Sequence, residues 1–125
     1  QKGRERKIDE SVYADLGASV PKERRKFRDR DIRARLVVQM INEAARALDQ
    51  GIVRTAAEVD LAMIMGTGFP PFRGGLLRFA DSMHPKGVLD RTRELETKHG
   101  ARFEAADLLV ELATSDRTFY EAFGT

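Results

Sequence analysis

The sequence predicts a single all-α domain, and three observations point there. Apolar residues recur at three- and four-residue steps, no segment alternates with period two over a useful length, and glycine or proline punctuates the periodic stretches. With 125 residues the chain is long enough for one hydrophobic core and too short for two. The expected organisation is a basic, extended linker over residues 1–28 that contains one short helix, followed by a helical domain over residues 29–125.

Within the linker, Val12, Tyr13 and Leu16 form the one apolar cluster, which Asp9 would cap and Gly17 would end as a two-turn helix. From Ile32 the pattern changes. Ile32, Leu36, Val37, Met40, Ile41, Ala44, Ala45 and Leu48 recur at helical spacing up to Gly51, which predicts one long helix with a buried stripe and a glycine stop. Thr55-Ala-Ala-Glu58 has the spacing of a capping box and opens a second helix that is expected to end at Gly66. The next ten residues, Gly66 to Gly75, hold four glycines and two prolines and are expected to be irregular, with Phe69 and Phe72 pinning the loop to the core. Leu76 to Met83 reads as a short helix, His84 to Gly87 as a break, and Val88 to His99 as a longer helix closed by Gly100. Ala105 to Ala113 gives a further helix with Leu108, Leu109 and Leu112 on one face, and Phe119, Tyr120 and Phe123 mark a terminal turn.

Composition narrows the function. The absence of cysteine excludes a disulfide scaffold, a thiol nucleophile and thiolate metal sites. The longest uninterrupted apolar run, Leu61 to Met65, falls far short of the roughly 18 residues of a spanning helix, so no membrane insertion is expected. The chain starts at Gln1 without a start methionine, and it is expected to be a piece of a longer protein. Charge is uneven: residues 1–35 carry a net +5 and residues 36–125 a net −3. A basic arm of this kind suits phosphate contacts, but Glu23, Asp29 and Asp31 interrupt it and Phe27 is its only aromatic residue after Tyr13, so no nucleic-acid partner is expected.

The chain offers little for catalysis. His84 and His99 are the only imidazoles, one before a proline and one at a helix end, and neither sits in a recognisable catalytic or metal-binding constellation. The glycine-rich stretch lacks a Gly-Lys-Ser/Thr ending, and its prolines remove amide donors that an anion would need. It reads as a rigid elbow from which Arg73 is a candidate for contact with a ligand or partner.

The stretch Gly66-Thr-Gly68-Phe69-Pro70-Pro71-Phe72-Arg73-Gly74-Gly75, with Asn42-Glu43 before it and Asp81 after it, resembles the C-terminal domain of 3-hydroxyacyl-CoA dehydrogenases. Its Phe-Pro-Pro-Phe-x-Gly-Gly form is similar to the second of two tandem copies in multifunctional fatty-acid oxidation enzymes that also contain enoyl-CoA hydratase. The resemblance covers residues 31–123 and implies the 6-phosphogluconate dehydrogenase C-terminal-like fold. It also implies a parent that oxidises 3-hydroxyacyl-CoA with NAD in bacterial cytoplasm, or in peroxisomes or mitochondria of a eukaryote. The family's first copy carries an Asn before an Arg at the start of the long helix; here Ala34 and Arg35 stand at those positions, and alanine cannot bond a substrate oxygen. No catalytic residue, cofactor site or metal site is therefore expected in this chain. The resemblance implies a scaffold packed on the preceding dehydrogenase domains, with self-association expected when it is alone; the alternative reading is a free-standing helical interaction module, and Arg35 is a second candidate for ligand or partner contact.

Overall fold

The computed structural model describes residues 9–20 and 26–124, and within them every regular element is helical. The elements are α1 (Val12–Asp15), α2 (Asp29–Asp49), α3 (Ala56–Thr67), α4 (Leu76–Ser82), α5 (Pro85–His99), α6 (Asp107–Ser115) and α7 (Phe119–Phe123), with single 3₁₀ turns at Gly17–Ser19, Pro71–Arg73 and Ala101–Phe103. The all-α expectation stands. The basic residues at 1–8 and 21–25 that the sequence assigns to the linker lie outside the described residues.

Helix α2 is the spine. Asp29 and Asp31 occupy its first turn, where negative charge complements the helix dipole. Its far end closes on glycine as expected: Gly51 has φ of +66°, its N–H donates to Leu48 O at 3.0 Å, and Ile52 N–H donates to Ala47 O at 2.9 Å, the paired bonds of a Schellman ending. The core-facing stripe differs from the one read in the sequence. It begins at Val38 and continues through Ile41, Asn42, Ala45 and Leu48, whereas Ile32 and Leu36 are exposed. The apolar positions of α2 cover two faces, and periodicity alone does not say which of them the domain itself covers.

Around this spine, α4, α5 and α6 close the core with Leu76, Leu77, Ala80, Val88, Leu89, Leu108, Leu109 and Leu112, and Phe119 of α7 is fully buried among them. Helix α3 packs on α4 and α7. Several boundaries shift for physical reasons. Helix α1 is one turn, not two, because Asp9 Oδ1 bonds Ser11 N–H and its hydroxyl, and Gly17 takes φ of +52°. Helix α3 runs one residue past Gly66, and Gly68 with φ of +71° ends it. Helix α5 starts at Pro85, not Val88, since proline at the first helical position gives up only an N–H that had no intrahelical partner. The preceding His84, at φ of +62°, makes the turn.

Thr55 caps α3 by accepting Glu58 N–H at 3.1 Å, but the return half of the box lands one residue early: Glu58 Oε2 accepts Arg54 N–H at 2.9 Å. The complete box belongs to α7, where Thr118 Oγ1 accepts Glu121 N–H at 3.2 Å and Glu121 Oε2 accepts Thr118 N–H at 2.7 Å. Among the described residues no helix is long and apolar enough to cross a membrane.

Candidate functional site

The residues singled out by the sequence separate into two structural clamps and two surface features. The elbow spans Gly68 to Gly75. Phe69 is half-buried and packs on Phe79 with ring centroids 6.4 Å apart. Phe72 does not pin the loop as expected; it is 83% exposed, and the guanidinium of Arg73 lies 5.8 Å from its ring and 5.2 Å from that of Phe79. Pro70 and Pro71 are exposed, and Pro71 opens the 3₁₀ turn.

The loop returns to the core at Gly75, which is buried at φ of +119°. The reason lies on α3. Asp60, 3% exposed, reaches across to the start of α4, where Oδ1 accepts Leu77 N–H at 2.6 Å and Oδ2 accepts Arg78 N–H at 3.1 Å. A side chain thus supplies the cap that Gly75 lacks. Asp81 repeats the device one step on, accepting Phe119 N–H at 2.8 Å and Tyr120 N–H at 3.1 Å at the start of α7. Desolvation raises the pKa of the Asp81 carboxyl, while those two amides and Arg78 pull it back. Tyr120 completes the set by donating its hydroxyl to Asp60 Oδ2 at 2.9 Å, with the Arg78 guanidinium 3.4 Å from the centroid of its ring. Asp60 is the residue that sequence reasoning misses, because in α3 it reads as one more polar position.

Asn42 of α2 forms the second clamp. Fully buried, it donates to Glu104 O at 2.8 Å and accepts Ala106 N–H at 2.8 Å, fastening the approach to α6 onto α2. Neighbouring Glu43 is exposed and accepts from Arg46 at 2.5 Å and from Gln39 at 3.0 Å. Asn42, Glu43, Gly66, Gly68, Gly74, Gly75 and Asp81 therefore do not converge on one pocket.

Two grooves open along α2. One, of about 630 Å³, runs between α2 and α3 and is floored by Leu36, Met40, Ala44, Ala47, Val59 and Met63, with Arg35 and Phe103 at one end. The other, of about 770 Å³, lies between the starts of α2 and the end of α5 and carries Arg28, Arg35, Arg91 and Lys98 beside Asp31 and Glu94. Ala34 lines this second groove and offers no side-chain donor. Helix α3 presents apolar side chains outward too, with Leu61 and Met65 both exposed beyond its buried face at Ala56, Val59 and Asp60. Of the two histidines, His84 faces Asp116 at 3.7 Å on the surface, and His99 lies against Phe103 with ring centroids 5.7 Å apart. Among the described residues no cluster of three metal-ligating side chains forms.

Comparison with known proteins places this arrangement. The family model for the 3-hydroxyacyl-CoA dehydrogenase C-terminal domain matches residues 32–121. The chain belongs to this family. Within the 3-hydroxyacyl-CoA dehydrogenase C-terminal domains, it is 39% identical over 119 residues to the fatty acid oxidation complex subunit alpha of Vibrio parahaemolyticus, covering 95% of this chain and 16% of that protein. It is 38% identical over 120 residues to the proteins of that name from Vibrio vulnificus and Shewanella loihica, in each case covering 96% of this chain and 17% of the relative. The chain thus spans about a sixth of the length of these relatives. The family match takes in Arg35, both clamps and the whole elbow.

Proposed function

We propose that this chain is a non-catalytic helical scaffold of a longer fatty-acid oxidation enzyme, packing through α2 and α3 on the preceding dehydrogenase domains. The observation that carries the reading is the uncovered apolar character of α3: Leu61 and Met65 are 63% and 78% exposed on a helix whose opposite face is already in the core. A domain complete in itself would carry polar side chains there. The relatives supply the context, since most of their length lies outside the matched segment.

On this reading the NAD-dependent oxidation of a 3-hydroxyacyl-CoA belongs to the parent, and the contribution of this chain is rigidity. Hydride transfer depends on holding two reactants in register, and a domain that fixes the neighbouring cleft contributes without touching either of them. Ala34, standing where the first copy of the family carries its Asn, is consistent with a copy that has kept its fold and lost its chemistry. The same reading puts the protein in the bacterial cytoplasm, with peroxisome or mitochondrion as the eukaryotic counterpart.

The test is to mix the chain with the parent enzyme lacking it, at low and high salt, and to follow complex formation and thermal stability. A complex that survives high salt and raises the melting temperature supports the scaffold, because an interface with an apolar centre is insensitive to screening. Calorimetry on the chain alone should show no heat of NAD binding. Absence of any complex at tens of micromolar, or micromolar NAD affinity of the chain itself, overturns the proposal.

A further inference from the structure

The groove between the start of α2 and the end of α5 holds positive charge that the domain does not itself neutralise. Five Arg and Lys side chains line it against two carboxylates, Asp31 and Glu94. Both carboxylates are already engaged, Asp31 by Arg28 at 2.7 Å and Glu94 by Lys98. Arg35 and Arg91 make no ion pair among the described residues. Arg35 is moreover half-buried, its guanidinium carbon 5.5 Å from the centroid of the buried Phe103 ring. A partly desolvated cation without a counter-charge is costly, and stacking fixes the guanidinium while leaving its in-plane N–H groups to meet an anion.

His99 brings a second donor to the same groove. Its imidazole packs on Phe103 from α5, with ring centroids 5.7 Å apart. Desolvation holds its pKa below the usual value, with Arg35 of α2, Arg102 of the 3₁₀ turn and Lys98 of α5 acting in the same direction.

The shape and charge of the groove select the ligand. About 770 Å³ is the size of a small-molecule site, far more than a lone ion fills. Ile32, Leu36 and Leu95 give it an apolar wall, Phe27 adds an exposed ring, and Ala34 adds no bulk. A fatty-acid carboxylate or a phosphodiester brings a single negative charge. A phosphomonoester brings nearly two on three oxygens, which suits a guanidinium fork and an imidazolium together. An extended acidic peptide would have to run its carboxylates past Asp31 and Glu94, which repel them.

We infer that the α2/α5 groove binds a nucleoside monophosphate, with Arg35 and His99 holding the phosphate and Ile32, Leu36 and Leu95 covering the base. The site is separate from the α2/α3 face on which the scaffold reading rests. NAD, whose phosphates are both diesters, lacks the group that the site takes.

The test titrates adenosine 5′-monophosphate into this chain, followed by two-dimensional NMR and calorimetry. Saturable shifts should appear at the amides of residues 32–36 and 95–99, and the His99 imidazole should titrate at higher pH with the nucleotide bound, because an anion beside it favours the charged form. Arg35→Met keeps apolar bulk on Phe103 and should weaken binding on the order of tenfold, with partial recovery in Arg35→Lys. Arg33→Met removes a cation that pairs with Asp29 outside the groove and should leave the affinity unchanged. The amide spectrum of each variant reports whether it has kept the fold. Glucose 6-phosphate and inorganic phosphate carry the anion without an apolar body and should bind more weakly; adenosine, without the anion, should not bind. Equal losses in Arg33→Met and Arg35→Met would reduce the effect to general charge attraction and overturn the site. So would equal affinity for glucose 6-phosphate, an unmoved His99 titration, or no binding at millimolar nucleotide.

Discussion

The carboxylate of Asp60 stands where a side chain at position 75 would have to go: a Cβ on Gly75 would lie 2.2 Å from Asp60 Cγ and 2.6 Å from its Oδ1. The same carboxylate caps α4 through Leu77 and Arg78, so the glycine and the cap are one device.

Gly75→Ala should therefore cost about 3 kcal/mol or more, since it sets an L side chain at an unfavourable φ and displaces a buried carboxylate from its donors. Gly68, at φ of +71° with nothing within 4 Å of its would-be Cβ, faces only the conformational penalty, about 1 kcal/mol for Gly68→Ala. Denaturant midpoints of the two variants check the ranking. Equal losses would mean that Asp60 yields easily.

Asn42→Leu should destabilise by about 2 to 3 kcal/mol, because it leaves the Ala106 N–H without its acceptor in the core. Glu104 O suffers less, as Arg46 Nη2 still donates to it at 2.6 Å. Asn42→Asp, which keeps the acceptor and loses the donor, separates the two contributions in equilibrium unfolding.

Removing the threonine caps should cost about 1 kcal/mol each in Thr55→Ala and Thr118→Ala. The loss at Thr118 should be accompanied by faster amide exchange through α7, whose five residues hold few helical bonds of their own. Thermal unfolding with hydrogen exchange reads both.

Acidification should weaken the fold through Glu58 and Glu121. The Arg54 N–H bonded to Glu58 and the Thr118 N–H bonded to Glu121 favour the ionised carboxylates and hold both pKa values below the usual 4.5. A carboxylate depressed in the folded state contributes stability above its unfolded pKa, and that contribution is lost as pH falls through the folded value. Stability measured from pH 6 down to pH 3 should fall less steeply in Glu58→Gln, Glu121→Gln than in the parent sequence.

The fold was legible where the signal is local. Gly51 and Gly100 mark helix ends because only their backbones turn there cheaply, and the Thr118–Glu121 spacing carries a complete cap that hydrophobic periodicity does not use. Ile32 and Leu36 misled because helical spacing reports that a face is apolar and not what covers it. Asp60 was illegible for another reason: its partners, Leu77, Arg78 and Tyr120, lie between 17 and 60 residues away in sequence. Asn42 and Asp81 drew notice through resemblance, and the structure gives each a role in tying segments together.

Helices α4 and α7 are seven and five residues long, below the length at which a helix persists unaided in water. Each begins on a carboxylate from the preceding element of the stack, and Tyr120 returns from the last helix to the first carboxylate. Opening at any one of these joints removes a donor or acceptor from the next. The amides of Leu77, Arg78, Phe119 and Tyr120 therefore form one cooperative unit that exchanges together, so the last turn of the chain acts as a latch on an elbow some forty residues upstream.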